Sequence, residues 1–93
     1  MISLPPSTTA LNQHSLQAIE YWLVELGAVR SDEDPCIWDW RMPTWSAQIN
    51  VDIGSIRIIW EKNGDQQQCS FPYGLSREDI QSAFFQGPYE KNS

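Results

Sequence analysis

WSAQINVDIGSIRIIWEKNGDQQQCSF, residues 45–71, decides the fold. Three runs in it alternate apolar and polar side chains. Trp45, Ala47, Ile49, Val51 and Ile53 alternate with Ser46, Gln48, Asn50 and Asp52. Ile56, Ile58 and Trp60 alternate with Arg57, Ile59 and Glu61, and Gln67, Cys69 and Phe71 alternate with Gln66, Gln68 and Ser70. A period of two with one polar face marks an antiparallel sheet wet on one side. Gly54-Ser55 and Asn63-Gly64 both suit two-residue hairpin loops. Those loops set Ile53 against Ile56, Val51 against Ile58, Ile49 against Trp60, and Asp52 against Arg57. The second hairpin sets Ile58 against Cys69 and Ile56 against Phe71. A one-residue slip would turn every apolar residue outward, so a single shared inner face is the demanding condition.

The pattern extends toward the N-terminus. In CIWDWRM, residues 36–42, Cys36, Trp38, Trp40 and Met42 share one face, and Ile37, Asp39 and Arg41 share the other. A turn at Pro43-Thr44 sets Trp38 against Ile49 and Trp40 against Ala47. Before this strand, Leu16, Ile19, Trp22, Leu23 and Leu26 form one helical stripe. Ser15 is its N-cap and Gly27 its left-handed stop. SDEDP, residues 31–35, reads as an acidic turn. After the sheet, LSREDI starts a second helix capped by Ser76, with Asp79 at the capping-box position. Its buried stripe is Ile80, Ala83 and Phe84, and Gly87-Pro88 ends it.

The expected architecture is α+β and two-layered. A four-stranded antiparallel meander carries both helices on one face, in the order α-β-β-β-β-α. Residues 1–13 read as a flexible or extended arm, 14–88 as one domain, and 89–93 as a polar tail. Most tryptophans then belong to the core, because a small sheet fills volume with large rings. Trp45 sits at a turn, where the core slab ends.

The chain has 93 residues and a net charge of −6. Its six Lys and Arg are scattered, which disfavours nucleic acid and anionic membranes. No signal peptide and no span-length apolar run is present, so the expectation is a cytoplasmic protein without membrane insertion. His14 has no nucleophile or acid near it in sequence and reads as an exposed residue at the start of the first helix. Cys36 and Cys69 read as two small buried hydrophobes on opposite edge strands, too far apart for a disulfide. Asp32, Glu33 and Asp34 lack the ligand spread and glycine of a calcium loop. Nothing calls for a cofactor or a metal, and no catalytic motif is present.

What remains is binding. Apolar or charged residues left outside the core are Ile37, Asp39, Arg41 and Ile59 on the wet face, Trp45 at the turn and Phe85 on the second helix. Tyr21 and Tyr89 are further exposed aromatics. These are the candidate partner-binding residues. The partner is another protein carrying a basic patch, or a second copy pairing along strand 36–42, read here as an open edge. A small-ligand site or an enzyme pocket near Trp45 is the alternative.

The stretches LNQHSLQAIEYWL (11–23), MPTWSAQINVDI (42–53) and YGLSREDIQSAFFQGP (73–88) resemble a family of small cyanobacterial proteins known only as a domain of unknown function. The resemblance runs from Leu11 to Pro88. It implies a cyanobacterial, cytoplasmic protein, and it brings no activity and no catalytic residues to transfer. The expected function is therefore a non-catalytic protein-interaction module with an assembly or regulatory role.

If the tryptophans are core, Trp38→Ala costs about 3–5 kcal/mol, as other buried aromatic truncations do. Thermal denaturation reads this as a clearly lowered midpoint. An unchanged midpoint together with lost partner binding would instead make Trp38 a ligand platform.

Overall fold

The computed structural model describes residues 4–88, and all counts below refer to them. A 3-10 turn at Leu11–Gln13 leads into helix α1, Leu16–Leu26. Five strands follow: β1 Val29–Arg30, β2 Ile37–Arg41, β3 Ser46–Val51, β4 Ser55–Lys62 and β5 Asp65–Pro72. Helix α2, Arg77–Gln86, closes the order. The strands form one open antiparallel sheet in the order β1-β2-β3-β4-β5.

Both helices are capped as their sequences require. Ser15 Oγ accepts from the Ala18 N–H at 3.1 Å, and Ser76 Oγ accepts from the Asp79 N–H at 3.1 Å. At the end of α1, Gly27 has φ 98° and the Ala28 N–H reaches back to the Leu23 carbonyl. That is a Schellman stop, and its left-handed residue is best filled by glycine. It also turns the chain straight into β1, a strand absent from the four-stranded expectation. Arg30 of β1 lies 5.1 Å over the Trp38 ring and forms an ion pair with Glu20 of α1. Two residues carry no periodic signal, so pairing with β2 and these side-chain contacts define the strand rather than propensity.

Both helices lie on the tryptophan side of the sheet. Trp38, Trp40, Ala47, Ile49, Ile56, Ile58 and Trp60 are buried there under Ile19, Trp22, Leu23, Ile80 and Phe84. Trp22 stacks on Phe84 at 5.8 Å between ring centres, and Phe84 meets Phe71 at 5.9 Å. The indole N–H groups tie elements together. Trp40 donates to the Leu26 carbonyl and Trp22 donates to Gln81, each at 2.9 Å. A buried indole brings large apolar area and needs one acceptor for its N–H, which both of these have.

The β2–β3 and β4–β5 registers are as expected: Trp38 faces Ile49, Trp40 faces Ala47, Ile58 faces Cys69 and Ile56 faces Phe71. The second hairpin turns at Asn63-Gly64, with φ 54° and 84°, the conformation that favours Asn-Gly. The β3–β4 register differs. Val51 faces Ile56, Ile49 faces Ile58 and Ala47 faces Trp60. The Asp52 N–H donates to the Ser55 carbonyl, so the loop is Ile53-Gly54 rather than Gly54-Ser55. Moving a turn by one residue moves register by two, and every face survives. Packing explains the choice. The observed register places Ala47 between Trp40 and Trp60, whereas the other would line up Trp38, Ile49 and Trp60. Neither Ile53 nor Gly54 has a positive φ, so the turn does not demand glycine at a fixed place. Ile53 consequently projects into solvent, fully exposed. Arg57 faces Asn50, and Asp52 reaches it diagonally at 3.9 Å.

Other expectations are corrected by burial. Leu16 is exposed on α1, and Ala18 takes its place in the buried stripe. Cys36 lies exposed in the turn before β2, while Cys69 is half-buried, and both are free thiols. His14 is buried, with Nδ1 3.1 Å from the Ala10 carbonyl. The opening residues described here are docked. Leu11 is fully buried, its N–H donates to the Leu75 carbonyl, and the Arg77 and Glu78 N–H groups donate to the Thr9 and Ser7 carbonyls. Those two N–H groups are among the four that a helix start leaves without internal partners.

Because Ala47 separates two buried indoles, Ala47→Leu should destabilise the fold by about 1–3 kcal/mol through overpacking. Chemical denaturation of this variant beside Gln48→Leu, one residue away on the uncovered face, checks the assignment. Only the first should lose stability on this scale.

Candidate interaction face

Since both helices sit on one side, no second layer of the described residues covers the other side of the five-stranded sheet. Its side chains follow from parity and register. One row runs Val29, Asp39, Gln48, Ile59, Gln68; a second runs Arg41, Ser46, Glu61, Gln66; a third runs Ile37, Asn50, Arg57, Ser70. None of these residues is buried, whereas their immediate neighbours along β2, β3 and β4 mostly are. The face holds a shallow hollow of about 340 Å³, bordered by Asp39, Arg41, Ser46, Gln48, Ile59 and Glu61. Among the outward-facing side chains that line it, the large apolar one is Ile59, half-buried between Gln48 and Gln68. Asp39 and Glu61 supply acceptors around it, and Arg41 and Arg57 supply donors.

Of the six residues singled out from sequence, four come together here: Ile37, Asp39, Arg41 and Ile59. Trp45 and Phe85 do not. Both lie on the helix side, each with its ring edge-on to Trp40 at 5.3 Å. Trp45 is half-buried and closes the end of the core against Gly87, where an added Cβ would lie 2.8 Å from the Trp45 indole nitrogen. The turn residue is thus a lid on the core. Beside it, a hollow of about 410 Å³ open to solvent is bordered by Arg41, Met42, Thr44, Trp45, Glu61 and Lys62. Tyr21 is exposed on α1, and its hydroxyl pKa is raised by a hydrogen bond to Glu25 and by that carboxylate's charge. Tyr89 falls outside the described residues.

The strand 36–42, expected as an open edge, is the second strand of the sheet. β1 pairs with it at Val29–Asp39 and Arg30–Trp38, and the Ser31 N–H donates to the Ile37 carbonyl. Self-association along that strand therefore loses its premise. Gln48, Asn50, Gln66 and Gln68 are members of the uncovered face that the sequence reading did not single out. The same alternation that placed Ile59 there places them.

A model of a family with the description "protein of unknown function (DUF3143)" matches residues 26–87, two thirds of the chain. The chain belongs to this family. The matched span holds all five strands and α2, and so the whole uncovered face. It leaves out nearly all of α1 and the LNQHSLQAIEYWL stretch. No curated protein and no solved structure matches the chain. No helix of the described residues is long and apolar enough to cross a membrane, and no three His, Cys, Asp or Glu among them group as metal ligands would.

Beside the β3–β4 turn, Tyr73 packs against the core and its hydroxyl donates to the Asp52 carbonyl. Its pKa is raised above the ordinary 10.0, first by burial and then by the charges of Asp52 and Cys36. The unfolded tyrosine therefore ionises before the folded one. Its contribution to stability is complete below pH 10.0 and declines as pH rises through the folded value. Stability measured against pH should fall in the alkaline range, and Tyr73→Phe should flatten that part of the fall while lowering stability at neutral pH by about 1 kcal/mol.

Proposed function

We propose that this protein is a non-catalytic interaction module, and that a protein partner docks on the uncovered sheet face with an apolar side chain against Ile59. The observation that carries this is the one-sidedness of the fold: two helices cover one face, and nothing among the described residues covers the other. A wet sheet face needs no partner when it is wholly polar. This one sets Ile59 in a hollow ringed by both signs of charge, the arrangement of an apolar centre with a polar rim. The net charge of −6 favours encounter with a basic partner, whose cations can reach Asp39 and Glu61. Assembly or regulation in a cyanobacterial cytoplasm is the setting this reading expects.

The test is a comparison of variants against one partner. A protein captured by the wild-type chain should lose at least roughly tenfold in affinity for Ile59→Lys, since a central truncation or charge typically costs over 1 kcal/mol. It should bind Phe85→Ala unchanged, and its association should slow as salt rises. A partner that tolerates Ile59→Lys and is lost with Phe85→Ala would place the interface on the helix side and overturn the proposal.

A further inference from the structure

The sheet has two edges, and they are unlike. β1 is two residues long and runs into Asp32, Glu33 and Asp34. Short and charged, it is the kind of edge that resists pairing. β5 is eight residues long, and from Gln66 to Phe71 it carries no charge. No strand of the described residues lies beyond it.

The hairpin fixes which main-chain groups β5 presents. Its two-residue loop closes on the pair Lys62–Asp65, so Asp65, Gln67, Cys69 and Phe71 direct their N–H and C=O toward β4. Gln66, Gln68 and Ser70 direct theirs away from the sheet, and all three are exposed. We propose that two copies of this chain join edge to edge through these groups, β5 antiparallel to β5, with the two-fold axis at Gln68.

Three features favour a second copy as the occupant. First, the register centred on Gln68 sets Gln68 opposite its counterpart and Gln66 opposite Ser70, three hydrogen-bonded pairs in all. Pro72, which has no N–H to give, then falls opposite Gly64 in the turn, outside the ladder. Second, an amide side chain both donates and accepts, so Gln68 is complementary to itself across the axis. Third, each copy carries a net charge of −6, and a strand without charges is where two such molecules meet with least repulsion. Joining the edges makes one ten-stranded sheet. Its uncovered face would contain a continuous row from Asp39 through Gln48, Ile59 and Gln68 to the same residues reversed. This pairing stands independently of what docks on the face.

Sedimentation equilibrium of the full chain across a wide concentration range tests it. The expected result is a monomer–dimer equilibrium in which Gln68→Lys, placing like charges opposite each other at the axis, weakens dimerisation roughly tenfold. Gln48→Lys, two strands away on the same row, should leave it unchanged. Amide hydrogen exchange at Gln66, Gln68 and Ser70 should slow in step with the dimer fraction. A monomer at every concentration overturns the proposal, as does a dimer indifferent to Gln68→Lys. Protection of these three amides in a dilute monomer also overturns it, because the chain's own residues would then cover the edge.

Discussion

The indole of Trp40 is the point on which the two layers are hung. It is nearly fully buried, donates to the last carbonyl of α1, and meets Trp45, Phe84 and Phe85 with its ring. One side chain thus fixes the height of α1 above β2, the position of α2, and the closure of the core at its open end. A smaller residue there would leave the Leu26 carbonyl without its donor and remove the surface on which three other rings lie. The Schellman stop at Gly27 lies beside the same indole, and glycine is favoured there by its left-handed φ of 98° rather than by lack of space.

From this anchor the division between the faces follows. Five tryptophans in a chain of 93 residues could serve as ligand platforms or as core, and strand alternation assigns most of them to the core. Four of them are buried and the fifth is a half-buried lid. The concentration of large rings on one side lets a five-stranded sheet make do with two short helices as its cover. The opposite side can then remain a single layer, because the core does not draw on it. The functional surface and the stabilising surface are separate, and they share only the strands between them.

Much of this was readable from residue order, for definite reasons. Alternation over four strands assigns Ile37, Asp39, Arg41 and Ile59 to one face whatever the register, because a turn moved by one residue changes partners by two. The caps at Ser15 and Ser76 and the Asn63-Gly64 loop were legible because each rests on local chemistry. What was hidden depends on distant contacts. β1 is strand only by virtue of β2, Trp38 and Glu20. The Ile53-Gly54 turn is chosen by the size of Ala47 relative to the indoles on either side. Trp45 and Phe85 looked available because neither their neighbourhood in sequence nor their periodicity shows that both rest on Trp40. Leu11 looked peripheral because its N–H is met by the Leu75 carbonyl, more than sixty residues away.

That last contact bears on how the molecule is made. The first N–H groups of α2 are satisfied by carbonyls of Ser7 and Thr9, at the far end of the chain. On the ribosome, α1 and the first hairpin emerge long before Leu75, Arg77 and Glu78 exist. Until then the Leu11 N–H is left to water, because its partner in the fold is the Leu75 carbonyl. Residues 7–11 are synthesised well before the segment that receives them, so the domain can complete itself only after residues 75–78 have been released.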